Sequence, residues 1–555
     1  EHGIDPEKYD GGYWQDNVPI REHRHVIGHA VRMVYLMAGA TDLAALTGDA
    51  ELIRMLDRMW RNTTERNMYV TGGIGSSAAN EGFTADYDLP NFTAYQETCA
   101  SIAMVIWAHR MNLLHGDARY ADVMERSLYN GVLAGVSLDG TRFFYVNPLA
   151  SRGTHHRRAW YGCACCPPNV TRTLAQLGGY VCAVSPGALW VNLYVAGTVE
   201  AELDGRKVLL EVATDYPWDG TVRLSPKLDS PFRFQLRLRV PGWCAGESVR
   251  VKGTPVAGPE RERGYIVLDR EWSPGDEVVL ELPMPVQRSA AHPKVKENVG
   301  RLAIQRGPLV YCLEGVDHEA DVHRIALPPD SPLTPESRSD LLGGVVVLKG
   351  EGTVDTGRTD WTRRLYAPVP ETTTVAVTAV PYYAWDNRAA GGMAVWIPVI
   401  PPPPASTGPE TRAEVSMSFV SSNCQPEGIR DGVEPARSSD QPALSCHWWP
   451  HKGSEEWVQY SWPKALRLAG TRVYWFDDTG RGECRVPRSW RLEYQDGDQW
   501  KPVRTTGLFE IALDRWCEVE FDPVETRALR LVVLMKPGFA AGVHEWQVLE
   551  SPDHQ

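Results

Sequence analysis

Three cysteines fall within four positions in the run Gly162-Cys163-Ala164-Cys165-Cys166-Pro167-Pro168-Asn169. Adjacent cysteines cannot share one apolar face of a strand, so packing alone is a poor account of them. Pro167 steers Cys166 away from helical backbone angles. Pro168 and Asn169 suit the opening of a helix, whose first turn needs no proline N–H. The run predicts a kinked loop presenting two sulfurs ahead of a helix, and a helix N-terminus lowers a thiol pKa. Its chemistry is that of a metal ligand, a nucleophile, or both.

Glu97 and Cys99 extend the set. With Cys165 and Cys166 they make three thiolates and one carboxylate, a four-donor site suited to zinc. Four protein ligands ordinarily mean a closed, structural metal site. Glu97 and Cys99 are two apart and would diverge on a regular helix, so the site requires an extended first turn. Packed free cysteines are the plain alternative. Spacing does not separate a structural site from a catalytic one.

A second set is acidic. Glycoside hydrolysis commonly uses two carboxyl groups, and Glu81, Asp86 and Asp88 lie in one loop. Asp86 and Asp88 read as turn organisers, whereas Glu81, between Asn80 and Gly82, is less easily read as a cap. His23, His25 and His29 form a third group. At i, i+4 spacing His25 and His29 would share a helix face, but the HExxH pattern is absent. His155-His156-Arg157-Arg158 reads as a surface run.

The elements that must position these residues follow from periodicity. Residues 1–185 read as five or six helices, among them Val26–Leu36, Leu52–Trp60, Tyr95–Leu114, Ala121–Val136 and Asn169–Val184. The glycine-rich stretch Thr71–Ser77 and the acidic turn Asp86–Asn91 form a long loop between helices, of a length that is usually functional. From about Ser185 alternation takes over, as in Phe234–Val240, with Pro-Gly turns, and predicts antiparallel β-sandwiches. A second β unit begins near Arg301. Pro401–Pro404 reads as a semi-rigid spacer. The expected domains are 1–185, 186–300, 301–400, a linker 401–410, and 411–555. The last carries nine of the chain's 20 tryptophans.

At 555 residues several domains are expected. The net charge of −13 argues against nucleic acid or an anionic membrane as partner. No apolar run approaches the ~20 residues that span a bilayer. Eleven cysteines without a framework pattern point to a reducing, cytoplasmic compartment. Pairing among Cys424, Cys446, Cys484 and Cys517 stays open, as does homo-oligomerisation. The chain opens at Glu1 without an initiator Met, and an upstream region is expected.

Taken in order, Glu81 with Asp86–Asn91, Glu97-Thr98-Cys99, Phe144-Tyr145-Val146-Asn147-Pro148-Leu149 and Gly162–Asn169 resemble glycoside hydrolase family 127, the β-L-arabinofuranosidase family. The likeness continues through Arg306–Tyr311 and Pro381–Arg388 and covers about residues 10–400. It implies an (α/α)6 barrel followed by β-sandwiches, and a retaining exo-hydrolase that uses a cysteine nucleophile. On that resemblance Cys165 is the nucleophile, Glu81 the acid/base, and Glu97, Cys99, Cys165 and Cys166 hold zinc. His29 and Tyr145 match sugar-lining positions. The implied product is β-linked L-arabinofuranose released from a carbohydrate substrate. The alternatives are the same chemistry on a related furanose, or a zinc-stabilised carbohydrate-binding protein without turnover. A complete barrel needs twelve helices, so the barrel reads as N-terminally incomplete. Asn17 stands where the family suggests a histidine. The C-terminal region resembles a discoidin or factor 5/8 C-type jelly roll through Asp431-Gly432, Glu456–Tyr460, Val473–Asp478 and Pro487–Trp490. Trp448-Trp449 is the pair there expected to meet a sugar.

Overall fold

The computed structural model describes residues 11–355, 366, 371–401, 408–421, 424, 426–432, 435, 437–440, 446–480, 482–505 and 507–551. Six α-helices come first: α1 (Ala30–Thr47), α2 (Ala50–Arg66), α3 (Thr98–His115), α4 (Ala118–Arg126), α5 (Cys166–Gln176) and the single turn α6 (Gly178–Val181). Their ends carry ordinary signals. Asp49 accepts the N–H groups of Glu51 and Leu52, both at 3.0 Å, to start α2. Gly48 ends α1 in the left-handed conformation. In α3 every residue from Thr98 to His109 is buried, which its all-round apolar sequence requires. It is the central helix, packed by α1, α4 and α5. Trp107, Trp60, Met33, Met55 and Val105 fill the core between them.

Two helix starts differ from expectation. Residues 24–28 are not helical, and α1 begins only at Ala30, because Gly28 turns the chain with a left-handed φ of 67°. His25 and His29 therefore share no helix face. Conversely, α5 begins at Cys166, ahead of both prolines. The first turn has free N–H positions, so it accommodates Pro167 and Pro168 together.

Beyond Val181 the described residues are mainly β and mainly antiparallel; Ala188–Val191 pairs in parallel with Phe232–Arg239, and Cys484 makes an isolated parallel bridge with Ala540. A five-stranded and a six-stranded sheet span residues 182–281 and share a core of Leu189, Leu210, Leu236, Trp272 and Leu280. A nine-stranded sheet follows, built mainly from residues 286–398. It also takes in Ala150–Ser151 from the helical part, paired with Met393–Ala394. One core runs through both: Tyr69, Phe144 and Leu149 pack with Val310, Cys312 and Trp385.

The helical part is also tied to the β part by charge. Arg239, wholly buried, donates to Asp122 at 2.6 Å and to Glu125, both on α4. Tyr216 and Trp243 donate to the same Glu125 carboxylate at 2.5 and 3.1 Å. Burial opposes charge on Arg239, yet the two carboxylates hold its pKa above the ordinary arginine value.

The chain divides into two units, Glu1–Val354 with Thr373–Pro402, and Asp355–Thr372 with Pro403–Gln555. The second unit holds a seven-stranded sheet whose two long strands, Glu455–Phe476 and Trp516–Leu534, pair with two register shifts. Trp448, Trp475, Tyr460 and Trp546 lie in its core. Trp448 is thus a core residue, and Trp449, 39% exposed, alone of the pair meets solvent. Of the predicted spacer Pro401–Pro404, Pro402–Pro404 lie outside the described residues. No helix among the described residues is long and apolar enough to cross a membrane.

Candidate active site

The sulfurs converge because three segments meet at the start of α3. Glu97 is the N-cap of that helix, with ψ of 135°. This extended residue turns the Glu97 and Cys99 side chains to the same side, which two residues two apart on a regular helix could not manage. The segment is fastened from both flanks. The Thr98 N–H donates to the Tyr145 carbonyl at 2.9 Å, and its hydroxyl to the Phe144 carbonyl at 2.8 Å. The Asn147 amide donates to the Gln96 carbonyl and to Thr98 Oγ1, both at 2.9 Å. Cys165 is the N-cap of α5 and Cys166 its first residue. The two therefore enter the site from one helix start.

Cys99 Sγ lies 3.5 Å from Cys166 Sγ, which lies 3.6 Å from Cys165 Sγ. Cys165 Sγ lies 3.2 Å from Glu97 Oε1. One ligand atom from each of Glu97, Cys99, Cys165 and Cys166 falls within 4.8 Å of every other. Glu97 Oε2 is buried and has no hydrogen-bond partner. A buried acceptor with nothing to accept calls for a further partner, and a cation among three sulfurs supplies one. The donor set therefore fits a thiophilic divalent metal held by Glu97, Cys99, Cys165 and Cys166.

The electrostatics single out Cys165. The Cys166 and Cys99 thiols hydrogen-bond to its sulfur and hold its pKa far below the ordinary thiol value. Cys166 and Cys99 move the other way, chiefly because their protons are engaged at Cys165. Burial, with the charge of Cys165 beside it, pushes the Glu97 carboxyl up to about 8. The Tyr145 hydroxyl lies 3.3 Å from Cys165 Sγ, and burial followed by that contact keeps the phenol protonated. Cys165 is half-buried, while Cys99 and Cys166 are buried. It is the sulfur of the cluster that an incoming molecule can reach. Cys163 is exposed and stands 3.9 Å from the same Tyr145 hydroxyl.

Glu81 also lies near Glu97, with His29, Glu81 and Glu97 offering ligand atoms within 4.8 Å of one another. His29 Nε2 is 3.3 Å from Glu81 Oε2. Burial lowers the His29 pKa, so a neutral imidazole faces the carboxylate. Its Nδ1 is buried and without a partner. Backbone, not side chains, brings these two together. Ala30 N–H donates to the Glu81 carbonyl at 3.1 Å, and Phe83 N–H to the Gly28 carbonyl at 2.9 Å. Glu81 itself has a left-handed φ of 50°. A Cβ on Gly82 would lie 1.8 Å from the Gly28 carbonyl oxygen. Gly82→Ala is therefore expected to cost about 2–3 kcal/mol of stability. A denaturant titration checks the figure.

The acidic loop behaves as its sequence suggests. Asp86 accepts from Asn62, Asn67 and Arg66 at 3.0, 3.0 and 2.9 Å, and Asp88 from Thr84 at 2.5 Å. Both organise the loop that carries Glu81. His23 is buried against the Gln15 carbonyl at 3.2 Å, and His25 is exposed. The expected surface run at 155–158 is corrected at two residues. Arg157 is buried and donates to the carbonyls of Ala134 and Trp385. His155 stacks on Phe144 at 4.8 Å.

Sequence reasoning missed Tyr95, Gln96 and Asn147. Tyr95 hydrogen-bonds to Glu81 and sets its ring against Tyr145 at 6.3 Å, linking the carboxylate side of the site to the sulfur side. Gln96 accepts from Thr71 at 2.8 Å and donates to the Asn147 carbonyl at 2.8 Å. A Cβ on Gly73 would strike its amide oxygen at 2.2 Å, which accounts for one glycine of the Thr71–Ser77 loop. All three missed residues lie inside the runs already singled out.

Comparison with known proteins gives one consistent answer. Residues 1–179 match the GH127 catalytic domain of beta-L-arabinofuranosidases, 188–284 the GH127 middle domain, and 286–398 the glycoside hydrolase family 127 C-terminal domain. A non-reducing end beta-L-arabinofuranosidase of Bifidobacterium longum subsp. longum is 37% identical over 413 residues, 70% of this chain and 62% of that protein. A GH127 beta-L-arabinofuranosidase from Geobacillus stearothermophilus T6 superposes with a TM-score of 0.68 at 47% identity, covering 71% of this chain and 64% of the other. A further GH127 beta-arabinofuranosidase superposes at 0.67 with 40% identity, covering 71% and 63%. A solved glycoside hydrolase at 36% identity superposes at 0.66, covering 70% and 68%. The chain thus spans about 62% of the length of the curated relative it matches.

Proposed function

Because the chain belongs to glycoside hydrolase family 127, we propose that it is a retaining exo-glycosidase removing β-linked L-arabinofuranose from the non-reducing ends of glycans. The observation that carries this reading is that Glu81 and the half-buried Cys165 sulfur both lie close to Glu97. In our reading Glu97, Cys99, Cys165 and Cys166 hold zinc. Zinc bound there supplies the positive charge that keeps the cluster's thiols deprotonated at neutral pH.

Cys165 Sγ attacks the anomeric carbon while Glu81 protonates the departing oxygen. The glycosyl group then sits on sulfur with inverted configuration. Glu81, now a carboxylate, takes a proton from water, and that water displaces the Cys165 sulfur with a second inversion. The product keeps the configuration of the substrate. Tyr145 orients the sulfur through its hydroxyl at 3.3 Å. The partnerless Nδ1 of His29 is the atom we assign to a sugar hydroxyl. We further read the helical part as a portion of an (α/α)6 barrel, the sheets of residues 186–300 and 301–400 as two β-sandwich domains, and residues 411–555 as a galactose-binding-like jelly roll.

The test is a series of aryl β-L-arabinofuranosides whose leaving groups differ in acidity. The wild-type chain is expected to release L-arabinose with retained configuration. Glu81→Ala should lose about 10²–10⁴-fold on the poorest leaving group and much less on the best, which needs no proton. Equal losses across the series would remove Glu81 from the acid/base role, and no hydrolysis by the wild type would overturn the glycosidase reading itself.

A further inference from the structure

Two cysteines meet in the core of the second unit. Cys424 follows the strand Glu414–Met417, and Cys446 opens the short strand Cys446–His447, which pairs with Gly542 and Val543. Both are buried, at 7% and 1% exposure. Their sulfurs flank one thioether: Met417 Sδ lies 3.4 Å from Cys446 Sγ and 4.0 Å from Cys424 Sγ. The Cys424 sulfur is also within hydrogen-bonding reach of the Cys446 thiol and of the His447 backbone N–H. Thiols are weak donors and thioethers weak acceptors, so hydrogen bonding gives little reason to bury two of them face to face.

We propose that Cys424 and Cys446 are a disulfide site that ties the segment following the strand Glu414–Met417 to the edge strand Cys446–His447 and closes residues 425–445 into a loop. The oxidant class is a peroxide. One thiolate attacks a peroxide oxygen, giving a sulfenic acid and one water. The second thiol displaces the hydroxyl as a second water and forms the S–S bond. Two thiols lose two protons and two electrons, and the peroxide is reduced to two waters. Cys424 is the first nucleophile, since its sulfur accepts the Cys446 thiol and the His447 N–H, which lower its pKa.

The experiment uses the full chain, reduced and then exposed to a small molar excess of hydrogen peroxide. It is denatured, alkylated without reductant, digested and mapped by mass spectrometry. The expected species is a Cys424 peptide joined to a Cys446 peptide with the loss of two hydrogens, while Cys484 and Cys517 of the same unit are alkylated. A thermal scan should show the unit's transition falling by about 5–10 °C on adding a dithiol reductant. That fall should vanish in the double variant Cys424→Ala/Cys446→Ala. Full alkylation of Cys424 and Cys446 after peroxide, or their pairing with Cys484 or Cys517, overturns the proposal. The peptide map decides the matter on the wild-type chain even if the double variant does not fold.

Discussion

Cys165→Ser is expected to reduce turnover on the order of 10⁴-fold or more, the scale seen when a covalent nucleophile is removed. That corresponds to about 5 kcal/mol of transition-state stabilisation. The hydroxyl that replaces the thiol is a poor nucleophile without a base, and in the proposed mechanism Glu81 serves the leaving group instead. Metal content should change far less, since Glu97, Cys99 and Cys166 remain, and the latter two are the buried members of the set. The two readouts separate the roles. Elemental analysis that finds zinc retained alongside lost turnover supports Cys165 as nucleophile. A variant that keeps zinc and full activity places the nucleophile elsewhere. Trapping with a mechanism-based arabinofuranosyl inhibitor adds a direct check, because the label should appear on the peptide holding Cys165 and be absent from the serine variant.

The second large effect concerns stability. Arg239→Met is expected to destabilise the first unit by about 3–5 kcal/mol, the range for breaking a buried ion pair from one side. The cost arises from what is left behind. Glu125 is 1% exposed, and without the guanidinium it keeps the hydrogen bonds from Tyr216 and Trp243 and, nearby, the charge of Arg126. Adding Glu125→Gln to Arg239→Met should restore part of the loss, since a neutral amide needs no counter-charge there. Urea titrations of the wild type and the two variants measure this. If Arg239→Met is neutral, the helical and β parts are held by their shared apolar core, and the charges add nothing to it.

The parts of the site legible in sequence were those set by local spacing. The run from Gly162 to Asn169 announces itself by composition, and the structure does bring Cys165 and Cys166 to Cys99 and Glu97. The condition placed on Glu97, an extended first turn, is met by its N-cap backbone. The turn roles of Asp86 and Asp88 followed from residue type. What stayed illegible depends on partners distant in sequence. Asn147 fastens Gln96 across 51 positions, and Arg157 reaches Trp385 across 228. Nothing local to a lone amide or a pair of arginines distinguishes such a residue from one that faces water. The helix starts were missed for a different reason. Apolar periodicity begins at Val26, but Gly28 breaks the backbone inside it. Helices followed by antiparallel sheets were readable from periodicity alone, whereas the parallel pairing of Ala188–Val191 with Phe232–Arg239 was not.

The carboxylate of Glu81 hangs from a clasp of main chain, closed by the Ala30 and Phe83 amides and allowed by Gly28 and Gly82. For laboratory evolution this divides the sequence into fixed points and free ones. A library that randomises Gly28, Gly73 or Gly82 will fill with clones lost to misassembly, and their silence will say nothing about sugar preference. Variation belongs instead on side chains that crowd no backbone, such as Trp160, which is 62% exposed and lies two positions before Gly162. Selection there leaves the clasp that positions Glu81 shut.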